Sequence, residues 1–132
     1  MEKKNIDWSS IGFAYMPTDY RYVSNFKDGK WDEGTLSTDP NIVLNECAGV
    51  LQYSQSVFEG LKAYTTEDGH IVTFRPDLNA ERMAASAARL EMPVFPKERF
   101  IDAVEQVVKA NAAWVTPYGC LLYTSDAADD KA

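Results

Sequence analysis

The sequence predicts an α+β protein with a largely antiparallel sheet and helices packed on it. Segments with strand-like composition and tight turns occupy residues 20–75, and two helical segments follow after residue 76. Strands and helices that are separated along the chain favour this architecture over alternating βαβ units. The 132 residues allow one domain at most. Neither a GxGxxG fingerprint nor a phosphate loop is present.

Two β-hairpins are expected in the first part. In residues 20–36, "YRYVSNFKDGKWDEGTL", the aromatic and β-branched residues favour strands, and Asp28-Gly29 supplies a turn that accepts positive φ. Residues 61–75, "LKAYTTEDGHIVTFR", repeat the pattern around the turn "EDGH".

Between the hairpins we expect mostly irregular structure. Residues 36–50 contain Pro, Asn and Gly and predict a loop with a short extended piece around "NIVL", residues 41–44. The segment "YSQSVFEG", residues 53–60, predicts a short helix with Ser54 or Ser56 as its cap and Gly60 as its end.

Two longer helices complete the predicted fold. The first starts after Pro76 with Asp77 as N-cap and ends before Pro93, and Leu78, Met83, Ala87 and Leu90 lie near one face. The second begins after Pro96. Its apolar stripe has a period of about 3.6 residues and comprises Phe100, Ile101, Val104, Val107, Val108 and Ala112.

Composition excludes several classes of function. A hydrophobic content of 45% is that of a globular protein. The net charge of −7 argues against a nucleic-acid partner. No apolar run approaches the ~18 residues of a membrane span, and the N-terminus has no secretory signal pattern. Two cysteines give no disulfide framework, so a reducing, cytoplasmic setting is expected, with Cys47 as a small buried side chain.

Only a few residues are candidates for chemistry. Arg82 lies among small helical residues and could present its planar fork to a phosphate, but spacing alone favours a solvated arginine paired with Glu81 or Asp77. Tyr53, Phe58 and Tyr64 place three rings near Gly60, a pattern that favours a sheet core over a ligand site. Glu59 has no obvious partner, and His70 has none at metal-ligand spacing, so no metal site is predicted.

Four ordered blocks resemble one known family. "LQYSQSVFEGLKAY", "FRPDLNAERMAASAARLEMP" and "NAAWVTPYG" closely resemble the branched-chain amino-acid aminotransferases, which are class IV aminotransferases of fold type IV. The upstream block "GFAYMPTDYRYVSNFKDGKWDEG" fits the same family, and the resemblance covers residues 7–119. It implies pyridoxal 5′-phosphate as cofactor, branched-chain amino acids and 2-oxo acids as substrates, and a homodimer of two-domain subunits.

The resemblance also assigns roles to residues. Residues 1–119 correspond to most of the small N-terminal domain. Arg82 matches the arginine that binds the cofactor phosphate, which reverses the interpretation from spacing. Tyr53 and Phe58 match aromatic residues of the substrate pocket, and Gly60 matches a pocket glycine. An apolar pocket of this kind is expected to accept Leu, Ile and Val alike, because one methylene changes selection by only about 1–3 kcal/mol.

The sequence departs from the family after Gly119. The family continues with a strand resembling "SLYIRP", whereas this chain has "CLLYTSDAADDKA", residues 120–132. No lysine of this chain matches the Schiff-base lysine, so no catalytic residue is assigned. The chain is expected to be inactive alone. "CLLYTSDAADD" resembles the in-frame translation of a transposon-end adaptor used in sequencing libraries, which predicts a non-native tail; a divergent natural terminus is the alternative.

Three functions remain open from the sequence. The first is branched-chain transamination by the parent protein. The second is another activity of fold type IV, as in D-amino-acid aminotransferase or aminodeoxychorismate lyase, although the "TDYR" region and residues 51–64 favour the branched-chain group. The third is a non-catalytic binding or dimerisation module made of the small domain alone.

Overall fold

The computed structural model describes residues 2–11 and 14–120. Apart from Cys120, the predicted tail lies outside these residues. The α+β prediction is confirmed, but the strands form three two-stranded antiparallel ribbons instead of one continuous sheet. The elements are β1 (Arg21–Val23), β2 (Phe26–Lys27), β3 (Lys30–Trp31), β4 (Thr35–Ser37), α1 (Gly49–Tyr53), β5 (Ala63–Thr65), β6 (Ile71–Thr73), α2 (Pro76–Arg89) and α3 (Lys97–Ala110), with short 3₁₀ turns at Trp8–Ser10 and Ala112–Trp114.

The first predicted hairpin is confirmed. Strand β1 pairs with β4, and β2 and β3 pair at its tip. Asp28 and Gly29 turn the chain with φ of 52° and 78°, as a two-residue hairpin turn requires. The Asp32 carboxylate accepts the N–H groups of Asn25 and Gly34, each at 3.0 Å, which fixes the return of the chain into β4.

The second hairpin is confirmed as well. Strand β5 pairs with β6 in the register Ala63 opposite Thr73. The turn closes where the Thr66 N–H donates to the His70 carbonyl at 2.8 Å, and Gly69 takes the positive φ of 84°. This ribbon leads directly into α2, so its position determines where the helix begins.

The segment between the hairpins differs from the prediction. Residues 38–45 belong to no strand, and the predicted helix over residues 53–60 is wrong. The helix α1 lies earlier in the chain. The Asn45 side chain accepts the Cys47 N–H at 2.9 Å and forms a turn just before the helix begins. Ser54 adopts φ of 52° and ends the helix, so residues 54–62 are irregular.

Helix α2 begins at Pro76, ahead of Asp77, the residue predicted as its N-cap. Arg75, with φ of 46°, precedes it, and Pro76 occupies the first helical position, where its missing N–H is not needed. Asp77 is therefore not the N-cap; its carboxylate pairs with Arg75 at 2.7 Å. Glu91, with φ of 53°, ends α2 in a Schellman arrangement, and α3 starts after Pro96 as predicted.

The buried apolar side chains among the described residues are small. Helix α2 packs on α3, and α3 packs on β1. Ala80 and Ala87 of α2 are buried, and Ala112 is buried just after α3. Leu78 and Leu90 are exposed, so the predicted apolar face of α2 is right only for Ala87 and the half-buried Met83. The large apolar side chains left exposed include Ile42, Val43, Leu51, Tyr53, Phe58, Phe74 and Tyr118.

The amide of Asn111 joins the N-terminal ribbon to the end of α3. Its Oδ1 accepts the Tyr20 N–H at 2.9 Å, and its Nδ2 donates to the Tyr20 carbonyl at 2.8 Å and to the Val107 carbonyl at 2.9 Å. The side chain thus satisfies both backbone groups of Tyr20, as a neighbouring strand would. Asn111 is only 8% exposed, so water does not readily replace it.

Three further expectations from the sequence concern single features. Cys47 is exposed, so the prediction of a buried side chain is wrong; it lies in the turn before α1, a helix without buried residues. Within residues 2–11 and 14–120, no helix is long and apolar enough to cross a membrane. The same residues contain no group of three or more His, Cys, Asp or Glu side chains suited to a metal ion.

The Asn111→Ala substitution tests this junction. We expect the free energy of unfolding to fall by about 1–3 kcal/mol, because two backbone groups of Tyr20 lose their partners. The urea midpoint of the variant measures the loss. Gln106→Ala is the control, since Gln106 lies on the same helix and bonds only to the exposed Asp102; its effect should stay within about 0.5 kcal/mol. Equal midpoints for both variants would contradict a joining role for Asn111.

Candidate functional site

Arg82 and Glu59 form a two-pronged ion pair. Nε of Arg82 donates to Oε1 of Glu59 at 2.5 Å, and its Nη2 donates to Oε2 at 2.8 Å. Helix α2 carries the arginine, whereas the carboxylate comes from the irregular segment 54–62. The pair therefore ties this segment to α2 across a sequence separation of 23 residues.

The carboxylate of Glu59 is the buried partner in this pair. Its side chain is 6% exposed, against 66% for Arg82. Asn79, one turn before Arg82, donates its Nδ2 to Oε2 of Glu59 at 2.9 Å and to the Gly60 carbonyl at 3.0 Å. Three donors thus converge on one carboxylate, as a buried charge requires.

These contacts explain the protonation behaviour of the pair. The hydrogen bonds from Arg82 lower the pKa of Glu59 below its usual value, against the opposing effect of burial, and Asn79 lowers it further. Glu59 in turn raises the pKa of Arg82. Because the folded-state pKa of Glu59 is depressed, the pair stabilises the fold above the ordinary pKa of 4.5, and the contribution is lost as the pH falls through the lowered value.

The pair leaves one edge of the guanidinium open. Arginine carries five N–H donors in a planar fork. Glu59 occupies the edge formed by Nε and Nη2, so the two N–H groups of Nη1 and one of Nη2 remain. No acceptor for them is found among the described residues, and the side chain is 66% exposed. This second edge can bind a planar or tetrahedral oxyanion through two parallel hydrogen bonds.

The predicted pocket residues lie on the same segment, just before and after Glu59. Phe58 is 87% exposed, and its ring lies over Gly60, where an added Cβ would contact it at 3.5 Å. Tyr53, at the end of α1, is 86% exposed. The structure brings Phe58 and Gly60 together, but the described residues show no ring contact between Tyr53 and Phe58. Their roles in substrate binding stay predictions.

Two cavities lie near or beside this region. A cavity of about 310 Å³ is lined by Gly60 and Asn79 together with Lys62, Tyr64 and Phe74. A second, of about 970 Å³, lies between β5 and residues 114–120 and contains none of the four predicted site residues. The smaller cavity is thus the one that adjoins the Glu59–Asn79 contact.

Sequence reasoning missed Glu59 and misassigned the neighbours of Arg82. Asp77 pairs with Arg75, and Glu81 pairs with Lys97, so neither is the partner of Arg82. A signal was present in the spacing of Asn79 and Arg82. Residues three apart share a helix face, so Asn79 and Arg82 can reach the same acceptor. The acceptor itself is distant in sequence, which is why pattern alone left Glu59 unpaired.

Comparison with known proteins extends this result. The chain matches no family model. It is 53% identical over 116 residues to a branched-chain-amino-acid aminotransferase of Haemophilus influenzae, which covers 88% of this chain and 34% of the relative. The branched-chain-amino-acid aminotransferase of Helicobacter pylori is 43% identical over 122 residues, covering 91% of the chain and 36% of the relative.

A third relative carries a different name. A methionine aminotransferase of Arabidopsis thaliana is 45% identical over 116 residues, which covers 87% of the chain and 33% of the relative. The chain therefore spans about a third of the length of the curated relatives that it matches. Over 116 of its 132 residues it is homologous to part of the branched-chain-amino-acid aminotransferases, which confirms the resemblance found in its sequence.

Proposed function

We propose that the complete protein is a branched-chain aminotransferase, which transfers an amino group between L-Leu, L-Ile or L-Val and 2-oxoglutarate. The observation that carries this proposal is the 53% identity over 88% of the chain to a protein of that name. The geometry is compatible with it, because an arginine at the matching position presents an open, solvent-accessible edge. The chain spans a third of the relative, so the activity belongs to the complete protein.

Arg82 would hold the cofactor, pyridoxal 5′-phosphate, by its phosphate group. The fit rests on the donor set: three N–H groups of a fixed guanidinium are left for a dianion. When bound, this cofactor supplies an electron sink for the substrate's α-carbon. The part assigned to Arg82 is to bind and orient, since none of the lysines in this chain matches the family's Schiff-base lysine.

Phe58, Tyr53 and Gly60 would form one side of the substrate pocket. The two aromatic side chains are among the most exposed apolar groups in the molecule. Covering such a ring with an aliphatic substrate side chain removes apolar area from water on both partners, worth about 25 cal/mol for each Å². Gly60 lies beside the ring of Phe58, where an added Cβ would make van der Waals contact at 3.5 Å.

The proposal extends to the assembly and location of the protein. A homodimer follows from the resemblance alone. A cytoplasmic location is expected from the sparse use of cysteine, since Cys47 is the one cysteine before the predicted non-native tail and disulfide frameworks belong to oxidising compartments. The other fold type IV activities weighed from the sequence are less favoured, because the relatives described above are named as aminotransferases of branched-chain amino acids or methionine.

A substrate panel tests the proposed reaction. We expect the complete protein, supplied with pyridoxal 5′-phosphate and 2-oxoglutarate, to consume L-Leu, L-Ile and L-Val at comparable rates, measured as glutamate formed. L-Met belongs in the panel because one relative is named for it. D-Ala and aminodeoxychorismate are the controls for the other fold type IV activities. Turnover of a control in place of the L-amino acids would contradict the proposal.

Replacement of Arg82 tests the phosphate role. Arg82→Ala should weaken binding of pyridoxal 5′-phosphate by roughly tenfold or more, because hydrogen bonds to a charged group contribute about 1.5–3 kcal/mol. Equilibrium dialysis of the complete protein gives the Kd. Arg82→Lys keeps the charge but removes the planar fork, so its Kd should lie between those of the wild type and of Arg82→Ala. Arg89→Ala, at the exposed end of the same helix, is the control. An unchanged Kd in Arg82→Ala would remove Arg82 from the site.

Replacement of Phe58 tests the pocket. Phe58→Ala should lower kcat/KM for L-Leu by roughly tenfold, corresponding to about 1.5 kcal/mol of lost apolar contact. The melting temperature should change little, because the ring is 87% exposed. Tyr15→Ala removes another exposed ring and serves as the control. A parallel loss of Tm and activity would mean instead that Phe58 belongs to the core.

A further inference from the structure

We propose that Glu59 is a positioning residue for the cofactor phosphate: it holds Arg82 so that the free edge of the guanidinium faces the anion. This inference rests on the proposed function. The ion pair that carries it comprises two hydrogen bonds, at 2.5 and 2.8 Å, to one edge of the fork. Glu59 itself touches no ligand and acts only through Arg82.

Burial prevents Glu59 from exchanging partners easily. Its side chain is 6% exposed, and a carboxylate removed from water must keep its donors. Asn79 supplies a third hydrogen bond at 2.9 Å from the same face of α2. The carboxylate is therefore the fixed member of the pair, and the more exposed guanidinium takes its orientation from it.

Orientation matters because arginine is a flexible side chain. A free arginine has four rotatable bonds, and ordering it at a binding site lowers affinity. Here the ordering takes place when the protein folds. The two N–H groups of Nη1 and the remaining one of Nη2 then point away from Glu59 before any ligand arrives. A phosphate meets a preformed pair of donors.

Charge acts in the opposite direction. Glu59 neutralises Arg82, and a carboxylate near a dianion repels it. The phosphate would lie on the far side of the guanidinium, beyond the contact distance of the carboxylate, and at an exposed edge where solvent and salt screen the repulsion. We infer that the gain from orientation exceeds this repulsion. The two effects predict opposite signs for the removal of the charge.

A simpler alternative gives Glu59 a structural role only. In that case it would merely anchor segment 54–62 to α2, through Arg82, Asn79 and the Gly60 carbonyl. Loss of the anchor would then disturb the whole site, including contacts that do not involve phosphate. A comparison of two ligands that differ only in the phosphate separates the two roles.

The test uses Glu59→Gln in the complete protein, with pyridoxal 5′-phosphate and pyridoxal as probes. Glutamine keeps the shape but turns one acceptor into a donor, which faces donors on Arg82 and Asn79. We expect affinity for pyridoxal 5′-phosphate to fall about three- to tenfold, which corresponds to the ordering of one flexible side chain. Affinity for pyridoxal should stay within twofold. Equilibrium dialysis at fixed ionic strength measures both.

Several outcomes overturn the inference. If Glu59→Gln loses the same affinity for both probes, Glu59 is a structural anchor only. If its affinity for pyridoxal 5′-phosphate is unchanged or higher, the repulsion between Glu59 and the phosphate exceeds the gain from orientation. Glu81→Gln is the matched control, because it makes the same change in an ion pair on the same helix. A double-mutant cycle with Arg82→Ala completes the test: Glu59→Gln should have no effect in that background, and additive losses would contradict action through Arg82.

A milder variant covers the case in which Glu59→Gln does not fold. Asn79→Ala removes one of the three donors to Glu59 and leaves the ion pair in place. It should lower the ratio of the affinity for pyridoxal 5′-phosphate to the affinity for pyridoxal by less than Glu59→Gln does. An unchanged ratio would overturn the inference. If the wild-type protein neither binds pyridoxal 5′-phosphate nor transaminates, the proposed function itself fails. If it does both and the ratio stays constant in the variants, only the role of Glu59 fails.

Discussion

A buried carboxylate that must keep its donors governs the arrangement of the candidate site. Glu59 lies in a segment without regular secondary structure, where backbone hydrogen bonds do not fix the chain. Removal of an unpaired charge from water costs several kcal/mol, so conformations that leave Glu59 without donors are strongly disfavoured. Arg82 and Asn79 provide those donors from one helix face. The segment is thus fixed by electrostatics where neither a strand nor a helix fixes it.

The packing of α2 determines which of its faces meets that carboxylate. Ala80 and Ala87 are seven residues apart, close to two helical turns, and both are buried. Helix α2 packs on α3, and the burial of these two alanines fixes its rotation. Asn79 and Arg82 then lie on another face, toward segment 54–62. The positions of both donors consequently depend on the burial of these alanines, and Phe58 and Gly60 follow because they are the neighbours of Glu59.

The features that the sequence predicted well are those coded locally. The turn at Asp28-Gly29 and the start of α3 after Pro96 depend on residues within a few positions. The helix α1 was misplaced because Ser54, suggested as an N-cap, instead takes a left-handed conformation at the C-terminal end. The pairing of Arg82 with Glu59 spans 23 residues and an irregular segment, so no periodic pattern records it. Family resemblance suggested the proposed role of Arg82, and only the fold shows that Glu59 contacts it.

The proposed anion site lies in an acidic protein. The chain carries a net charge of −7, and the Arg82–Glu59 pair is itself neutral. Long-range attraction therefore contributes little to capture of a phosphate by this region. The attraction of a phosphate would then come from short-range hydrogen bonds. Their donors are the N–H groups of the guanidinium, which lie in one plane and are already ordered. Such donors select by the geometry of the ligand more than by its charge. If Arg82 binds phosphate as proposed, the site would favour a tightly seated phosphate over other anions in the cell, because a poorly fitting anion gains little from a charge that Glu59 has already compensated.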